Sequence, residues 1–339
     1  PNRAICQTPP MPKTQPSPKP PDGTEFEAML AAERPRLLAH CYRMLGGLAD
    51  AEDAVQEAML RALRGRSGFE GRSSLRTWLH RIATRVCLDA LGDRRRRVLA
   101  MDLGPAGNLE APLVEVAAER WIEPIPDALV LPTEAGPDER AEARERLRLA
   151  YVAALQNLPP RQRAALLLTE VVGLSAAEAA ETLEMSVAAL NSALQRARAT
   201  LSARVPRPGT QAPSEEQSRL AARFAELFER YDLEALKALL REDALMSMPP
   251  YSLWLQGPGP IVGWMRGRGA ACEGSILVPT AASGAPAFGQ YKPDPAGGAH
   301  TPWALVVVEG GEGGIERLTF FLDTARHFPR FGLPPSIAR

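Results

Sequence analysis

The chain has 339 residues, with 40 Lys plus Arg balanced by 40 Asp plus Glu for a formal net charge of zero. That length allows two or three domains with cores of their own, while no apolar run is long enough to span a membrane and no signal-peptide order opens the chain, so a soluble, cytoplasmic protein is expected. Four scattered cysteines, Cys6, Cys41, Cys87 and Cys272, form no CxxC or Cys/His cluster. They argue against zinc or a disulfide framework, and neither a metal nor a cofactor is expected.

Residues 1–23 carry eight prolines and no apolar periodicity, the pattern of a disordered leader. A helical pattern starts at Phe26 and stops at Gly46-Gly47, after which Asp50 is expected to cap a helix reaching about Arg64. A loop over 65–73 leads to Ser73, the expected cap of a helix ending near Arg97. Residues 99–137 are rich in Pro, Gly and acids and read as a linker. The charge is uneven along this stretch: residues 24–97 hold 14 Arg against 10 acids, 98–140 hold 2 against 9, and 141–204 hold 8 against 6. Two basic segments therefore flank an acidic connector, a layout suited to two nucleic-acid or polymerase contacts.

The segment 158–201 reads as a helix-turn-helix. A Pro-started apolar helix over 160–172 ends at Gly173, and Ser175 with Glu178 forms a capping box before an alanine-rich run. A turn at 183–185 follows, and Ser186 caps a third helix. Val187, Leu190, Leu194 and Leu201 are expected on its buried side, with Asn191, Ser192, Gln195, Arg196 and Arg198 outward, as a helix entering a DNA groove requires. After a Pro/Gly linker over 205–213 the class changes. Residues 215–240 give one or two amphipathic helices, and apolar runs at 244–248, 275–278, 303–309 and 315–322 are strand-like, the last two joined by a hairpin at 310–314.

With DAEDAVQEAMLRAL at 50–63 and FEGRSSLRTWLHRIATRVCLDALGDRRRR at 69–97 in order before the helix-turn-helix, residues 26–204 resemble the extracytoplasmic-function sigma factors of the sigma-70 family. The fold class this implies is multidomain: two all-α sigma domains, 24–98 and 138–204, separated by the 99–137 linker, then a 205–214 linker and an α+β domain from 215 to 339. Core RNA polymerase and promoter DNA are the implied partners, and the implied role is a transcription initiation factor rather than an enzyme. Ala54, Val55, Ala58 and Leu63 can pack inward and leave a polar ridge of Asp53, Gln56, Glu57 and Arg61, which the resemblance assigns to core polymerase. Leu75, Trp78, Leu79, Ile82, Val86 and Leu88 form an apolar stripe, with Trp78 as core. The resemblance gives Arg72, Arg76, His80, Arg81, Thr84 and Arg85 to the unwound minus-10 strand, a flipped base to the 65–73 loop, and spacer phosphates to the arginines at 94–97.

For the minus-35 element it implies Ser186, Ala189, Asn191, Ser192, Gln195 and Arg196, with Arg161 and Arg163 near the DNA backbone. Asn191 and Ala193 stand where many relatives carry Lys or Arg, a departure that reduces phosphate neutralisation. In the connector, Trp121, Glu123 and Pro124 belong to a WxEP-like element similar to one in sigma factors with an extra C-terminal domain, so Trp121 is expected in an intramolecular contact.

Residues 215–333 resemble the SnoaL-like fold, a curved sheet wrapped by helices into a cone. Met248, Tyr251, Trp254 and Trp264 are candidate pocket walls, and His300, Asp323 and His327 candidate acid-base groups. Two roles remain open for this domain: regulation in cis by contact with the sigma domains or linker, or binding or turnover of a small-molecule ligand. For the whole chain the rival reading is a helix-turn-helix regulator fused to such a ligand-binding or enzymatic domain.

Overall fold

A computed structural model of the chain describes residues 23–66, 69, 73–92, 96–132, 136–203 and 214–338. The expected leader before Gly23, most of the 65–73 loop including Arg72, the arginines at 94 and 95, and the 205–213 linker lie outside the described residues.

Three helices open the fold: α1 (Gly23–Leu45), α2 (Leu48–Arg64) and α3 (Leu75–Leu91). Leu37, Tyr42, Val55, Ala58, Leu79 and Ala83 fill the space between them. Asp50 does not cap α2, because the helix starts two residues earlier. Its first amide groups, Leu48 N and Ala49 N, instead donate to Glu123 Oε2 at 2.9 and 3.4 Å. Likewise α3 is capped by Ser74 rather than Ser73, with Thr77 N donating to its hydroxyl at 3.1 Å, and the helix stops before Gly92 rather than at Arg97.

The 99–137 connector threads through the molecule. Val98 N donates to Arg120 O and Ile122 N to Val98 O, and residues 121–127 are all buried. Ile122 and Ile125 are completely enclosed, each contributing about 1.5–3 kcal/mol of apolar burial.

Five further helices follow: α4 (Pro137–Glu145), α5 (Leu149–Gln156), α6 (Pro160–Leu166), α7 (Ala176–Thr182) and α8 (Val187–Ser202). The helix expected over 160–172 keeps its length but widens to π geometry over Leu167–Val171. The capping box is present: Glu178 N donates to Ser175 Oγ at 3.2 Å, and Ser175 N donates back to the Glu178 carboxylate at 3.0 Å.

The C-terminal part is the expected α+β arrangement. It comprises α9 (Ser214–Glu229), α10 (Leu233–Leu239), β1 (Leu240–Ser247), β2 (Trp254–Gln256), α11 (Pro258–Arg266), β3 (Ile276–Ala282), β4 (Ala285–Lys292), β5 (Thr301–Gly311), β6 (Gly314–Phe321) and α12 (Thr324–His327). The strands form one sheet in the order β2-β1-β6-β5-β4-β3, antiparallel except for the β1–β6 pair. Alternation along the strands gives the sheet two buried faces. One presents Phe288, Val306 and Phe320 to α9, α10 and α11, where Phe224 and Phe228 close the core. The other presents Ala287, Leu305, Val307 and Phe321, which join the hydrophobic core that also contains the helices of the first two segments and Ile122 and Ile125.

Candidate functional site

On α2, Asp53, Gln56 and Arg61 are exposed and Glu57 is half-buried, forming the expected ridge. Arg61 Nε donates to Glu57 Oε1 at 2.7 Å and its Nη1 to Asp89 Oδ2 on α3 at 3.3 Å. Leu63 does not pack inward with Ala54, Val55 and Ala58; it is 40% exposed, as is Leu60.

The α3 residues divide into two sets. Arg76 and Arg85 are exposed and Arg81 is half-buried, whereas His80 and Thr84 are buried and turn away from any strand. Thr84 Oγ1 lies 2.9 Å from His40 Nε2, and His80 donates from Nδ1 to Arg76 O at 2.8 Å while its ring meets that of His40 edge-on. Burial holds His80 down to about 4 and His40 well below the ordinary imidazole value, so both rings are neutral at pH 7. Trp78 packs against Phe26 and Phe69, as expected of a core side chain. Two of these three arginines meet the helix-turn-helix: Arg81 pairs with Glu181 at 3.0 Å and Arg85 with Glu184 at 2.9 Å, while Arg76 stays exposed.

On α8, Ser186, Ala189, Asn191, Ser192, Gln195 and Arg196 are exposed along one face. Ser186 Oγ accepts from Ala189 N as the cap, and Ser192 Oγ donates to Ala188 O. The side chains of Asn191, Gln195 and Arg196 show no hydrogen bond among the described residues. Val187 is 44% exposed instead of buried, and Ala193 is buried, so no side chain at 193 on this helix would face DNA. Arg163 is buried too. It donates to the carbonyls of Met44, Leu155 and Leu158, so it ties α6 to α1 and cannot serve a DNA backbone. Arg161 donates to Leu183 O at 3.0 Å.

Trp121, Glu123 and Pro124 lie at a junction of all three segments. Trp121 is 4% exposed and donates from its indole to Val116 O at 3.0 Å. Glu123, 3% exposed, takes the α2 amides, Arg97 at 3.2 Å and Arg326 of α12. Arg97 also reaches Asp50 at 2.7 Å and Trp121 O at 2.6 Å. A Cβ at Gly47 would stand 2.5 Å from its guanidinium, so the bare backbone there is what admits it. Nearby, Ser283 and Gly284, both at positive φ, turn β3 into β4. This tip docks on the connector: Ser283 N donates to Ile125 O at 2.8 Å and Gly284 N to Asp127 Oδ1 at 2.7 Å. Burial raises the Asp127 carboxyl to about 6.

The cone candidates do not assemble into one site. Tyr251, Asp323 and His327 line a cavity of about 360 Å³ between the connector and the C-terminal part, whereas Met248, Trp254, Trp264 and His300 do not. Met248 packs against the core under α9–α11, Trp254 donates to Gly104 O, and Trp264 lies under the Arg268 guanidinium. His300 Nε2 is held 3.1 Å from Gly274 O, and Asp323 caps α12 by accepting from Arg326 N.

Residues 29–97 match Sigma-70 region 2 and residues 148–201 match Sigma-70, region 4. Over 319 residues the chain is 45% identical to the ECF RNA polymerase sigma factor SigG of Mycobacterium tuberculosis, covering 92% of this chain and 85% of that protein. The chain belongs to the ECF RNA polymerase sigma factors. It is also 30% identical over 221 residues to SigJ of M. tuberculosis, covering 65% of this chain and 62% of that one. The crystal structure of SigJ superposes with a TM-score of 0.59 at 22% identity, covering 92% of this chain and all of the other, which shows a shared fold.

As members of that family are transcription initiation factors, this sigma factor is one too, and not an enzyme. Three features of it were not foreseen from sequence: the Glu181 and Glu184 partners of the α3 arginines, the Glu123–Arg97–Arg326 cluster, and the docked Ser283–Gly284 tip. Only the last left a local signal, a Ser-Gly pair between two apolar runs. No described helix is long and apolar enough to cross a membrane.

Proposed function

We propose that this sigma factor, acting in the cytoplasm, seats on core RNA polymerase through Asp53, Gln56, Glu57 and Arg61. It reads the minus-10 strand with Arg72, Arg76, Arg81 and Arg85 and the minus-35 duplex with Ser186, Ala189, Asn191, Ser192, Gln195 and Arg196. The C-terminal domain, held to the sigma segments through Trp121, Glu123 and Pro124, regulates that activity in cis.

The observation that carries this reading is the opposite state of the two DNA-reading faces. The α8 face is open, whereas two of the α3 arginines, Arg81 and Arg85, are paired with Glu181 and Glu184. A protein arranged this way needs a partner that parts the two modules before both can act, and core polymerase supplies such a partner. Exposed ion pairs contribute about 0.2–1 kcal/mol each, so these two do not hold the closure alone. The shared apolar core through Ile122, Ile125 and the sheet supplies the rest.

The test is transcription from a promoter library by core polymerase reconstituted with the full chain. Initiation at a discrete set of promoters is expected, and it should fall by an order of magnitude or more when Asp53 and Glu57 are both changed to Lys. Undiminished core binding by that double variant would remove the docking assignment.

A further inference from the structure

The cavity of about 360 Å³ between the 115–123 segment and the C-terminal domain has the size of a small-ligand pocket. Its walls are mostly apolar and partly aromatic: Trp121, Ile122, Pro250, Tyr251 and Phe321. It is separate from the cone interior under α9–α11, where Phe224, Phe228, Phe288 and Phe320 already fill the space.

One polar side chain in this wall turns to the cavity without a protein partner for its ring. His327 is 6% exposed, its ring lies edge-on to Phe321 at 5.6 Å, and neither ring nitrogen has a hydrogen-bond partner among the described residues. Both nitrogens are open to the cavity rather than sealed in protein, so whatever occupies it can take up their donor and acceptor. The charged groups of the cavity are committed elsewhere. Glu123 holds Arg97 and Arg326, and Asp323 caps α12. Glu123 is neutralised by Arg97 and Arg326, which leaves Glu115 and Asp323 as an excess of carboxylate that disfavours an anion, while a quaternary cation would offer His327 no hydrogen bond.

We propose that this seam binds a small, uncharged aromatic or alicyclic molecule that carries a hydroxyl or carbonyl oxygen, packed between Trp121 and Tyr251 and hydrogen-bonded to His327. The neutral imidazole offers one donor and one acceptor, so it matches either oxygen. The consequence for regulation, which rests on the reading of the C-terminal domain given above, runs through Arg326. That side chain lines the cavity and grips Glu123, whose other oxygen caps the helix that carries Asp53 and Glu57. A ligand in the seam therefore presses on the ion pair that ties the C-terminal domain to the polymerase-docking helix.

The test uses the full-length protein and para-hydroxyacetophenone as probe, followed by tryptophan fluorescence and calorimetry. Saturable binding is expected, with the fluorescence change lost in Trp121→Phe. His327→Phe keeps the ring packed on Phe321 but removes both nitrogens, and it should weaken binding roughly tenfold, the worth of one buried hydrogen bond. Benzoate and benzyltrimethylammonium should bind more weakly than the neutral probe. No saturable signal at millimolar probe, equal affinity in His327→Phe, or tighter binding of either ion would each overturn the site. Core-polymerase affinity with and without probe decides the coupling: binding that leaves it unchanged overturns the link through Arg326. If Arg326→Ala leaves core affinity untouched, the regulatory reading fails, while the probe titration still decides the site.

Discussion

Glu123 shows how much one carboxylate can organise. It sits within 3% exposure, caps α2 from 75 residues away, and binds guanidinium groups from two other segments. Replacing it by Ala leaves Arg97 only Asp50 and Trp121 O, frees Arg326, and uncovers the first amides of α2. Glu123→Ala is therefore expected to cost about 3 kcal/mol in denaturant unfolding, the scale for breaking a buried ion pair. Conversely, His80 makes the fold sensitive to acid. Its folded pKa of about 4 lies below the unfolded 6.5, so the unfolded chain takes up a proton first and stability is lost as pH falls from 6.5 towards 4, by up to about 3 kcal/mol. Asp127 has the opposite sign. With a carboxyl raised from 3.8 to about 6, its contribution is greatest below pH 4 and declines as pH rises through 6. Melting curves of His80→Gln should show a flatter loss below pH 6.5 than the parent, and those of Asp127→Asn a flatter loss between pH 4 and 6. At the DNA face, Arg196→Ala should weaken minus-35 binding and reduce the slope of log affinity against log salt by about one; an unchanged slope would take Arg196 off the phosphates.

Among the elements, the contact of α3 with α7 and the turn after it is the one that the proposed promoter reading depends on. Changing Glu181 and Glu184 to Lys replaces two attractions with two repulsions, and the free protein is expected to bind single-stranded minus-10 DNA roughly tenfold more tightly as the modules part. The β3–β4 tip is the other sensitive element. At Gly284 φ is +74° and a Cβ would lie 2.2 Å from Arg144 O, so Gly284→Val should loosen the tip from the connector and open 121–132 to limited proteolysis.

Which elements were legible in the sequence follows from where their stabilising partners lie. The Ser175–Glu178 box and the Ser186 cap are satisfied within four residues, and both stand where the sequence puts them. The start of α2 was misplaced at Asp50 because its true cap arrives from Glu123. His80 and Thr84 read as polar and outward on an apolar-stripe criterion, yet their partner is His40 on another helix. Strand β4, with Pro286 and Gly289 inside it, carries little alternation of its own and is defined by pairing with β3 and β5.

At the scale of the whole molecule, the acidic connector reads in sequence as a spacer and serves in the structure as a spine. Its Pro and Gly content limits it to three short 3-10 turns, at 100–102, 118–120 and 127–129, but does not prevent burial, and its apolar residues Ile122, Ile125, Val130 and Leu131 join the helical core to the sheet. Because that core is continuous, unfolding followed by far-UV circular dichroism and by tryptophan fluorescence should trace one coincident transition; two separated steps would mean that the sheet and the helices fold independently. The charge layout was legible, since it needs only counting. The pairing of basic α3 with acidic positions on α7 and in the turn after it was not, because those partners lie about a hundred residues apart.

That pairing has a bearing on ionic strength. Glu181 and Glu184 stand against Arg81 and Arg85 as two phosphates of a nucleic-acid strand would, so on the proposed reading incoming DNA would displace an internal counterfeit of itself. Added salt loosens the counterfeit and the genuine strand together. Single-strand binding by the intact protein should then respond to salt less steeply than its arginine count implies, and recover its full steepness once the two glutamates are neutralised to Gln.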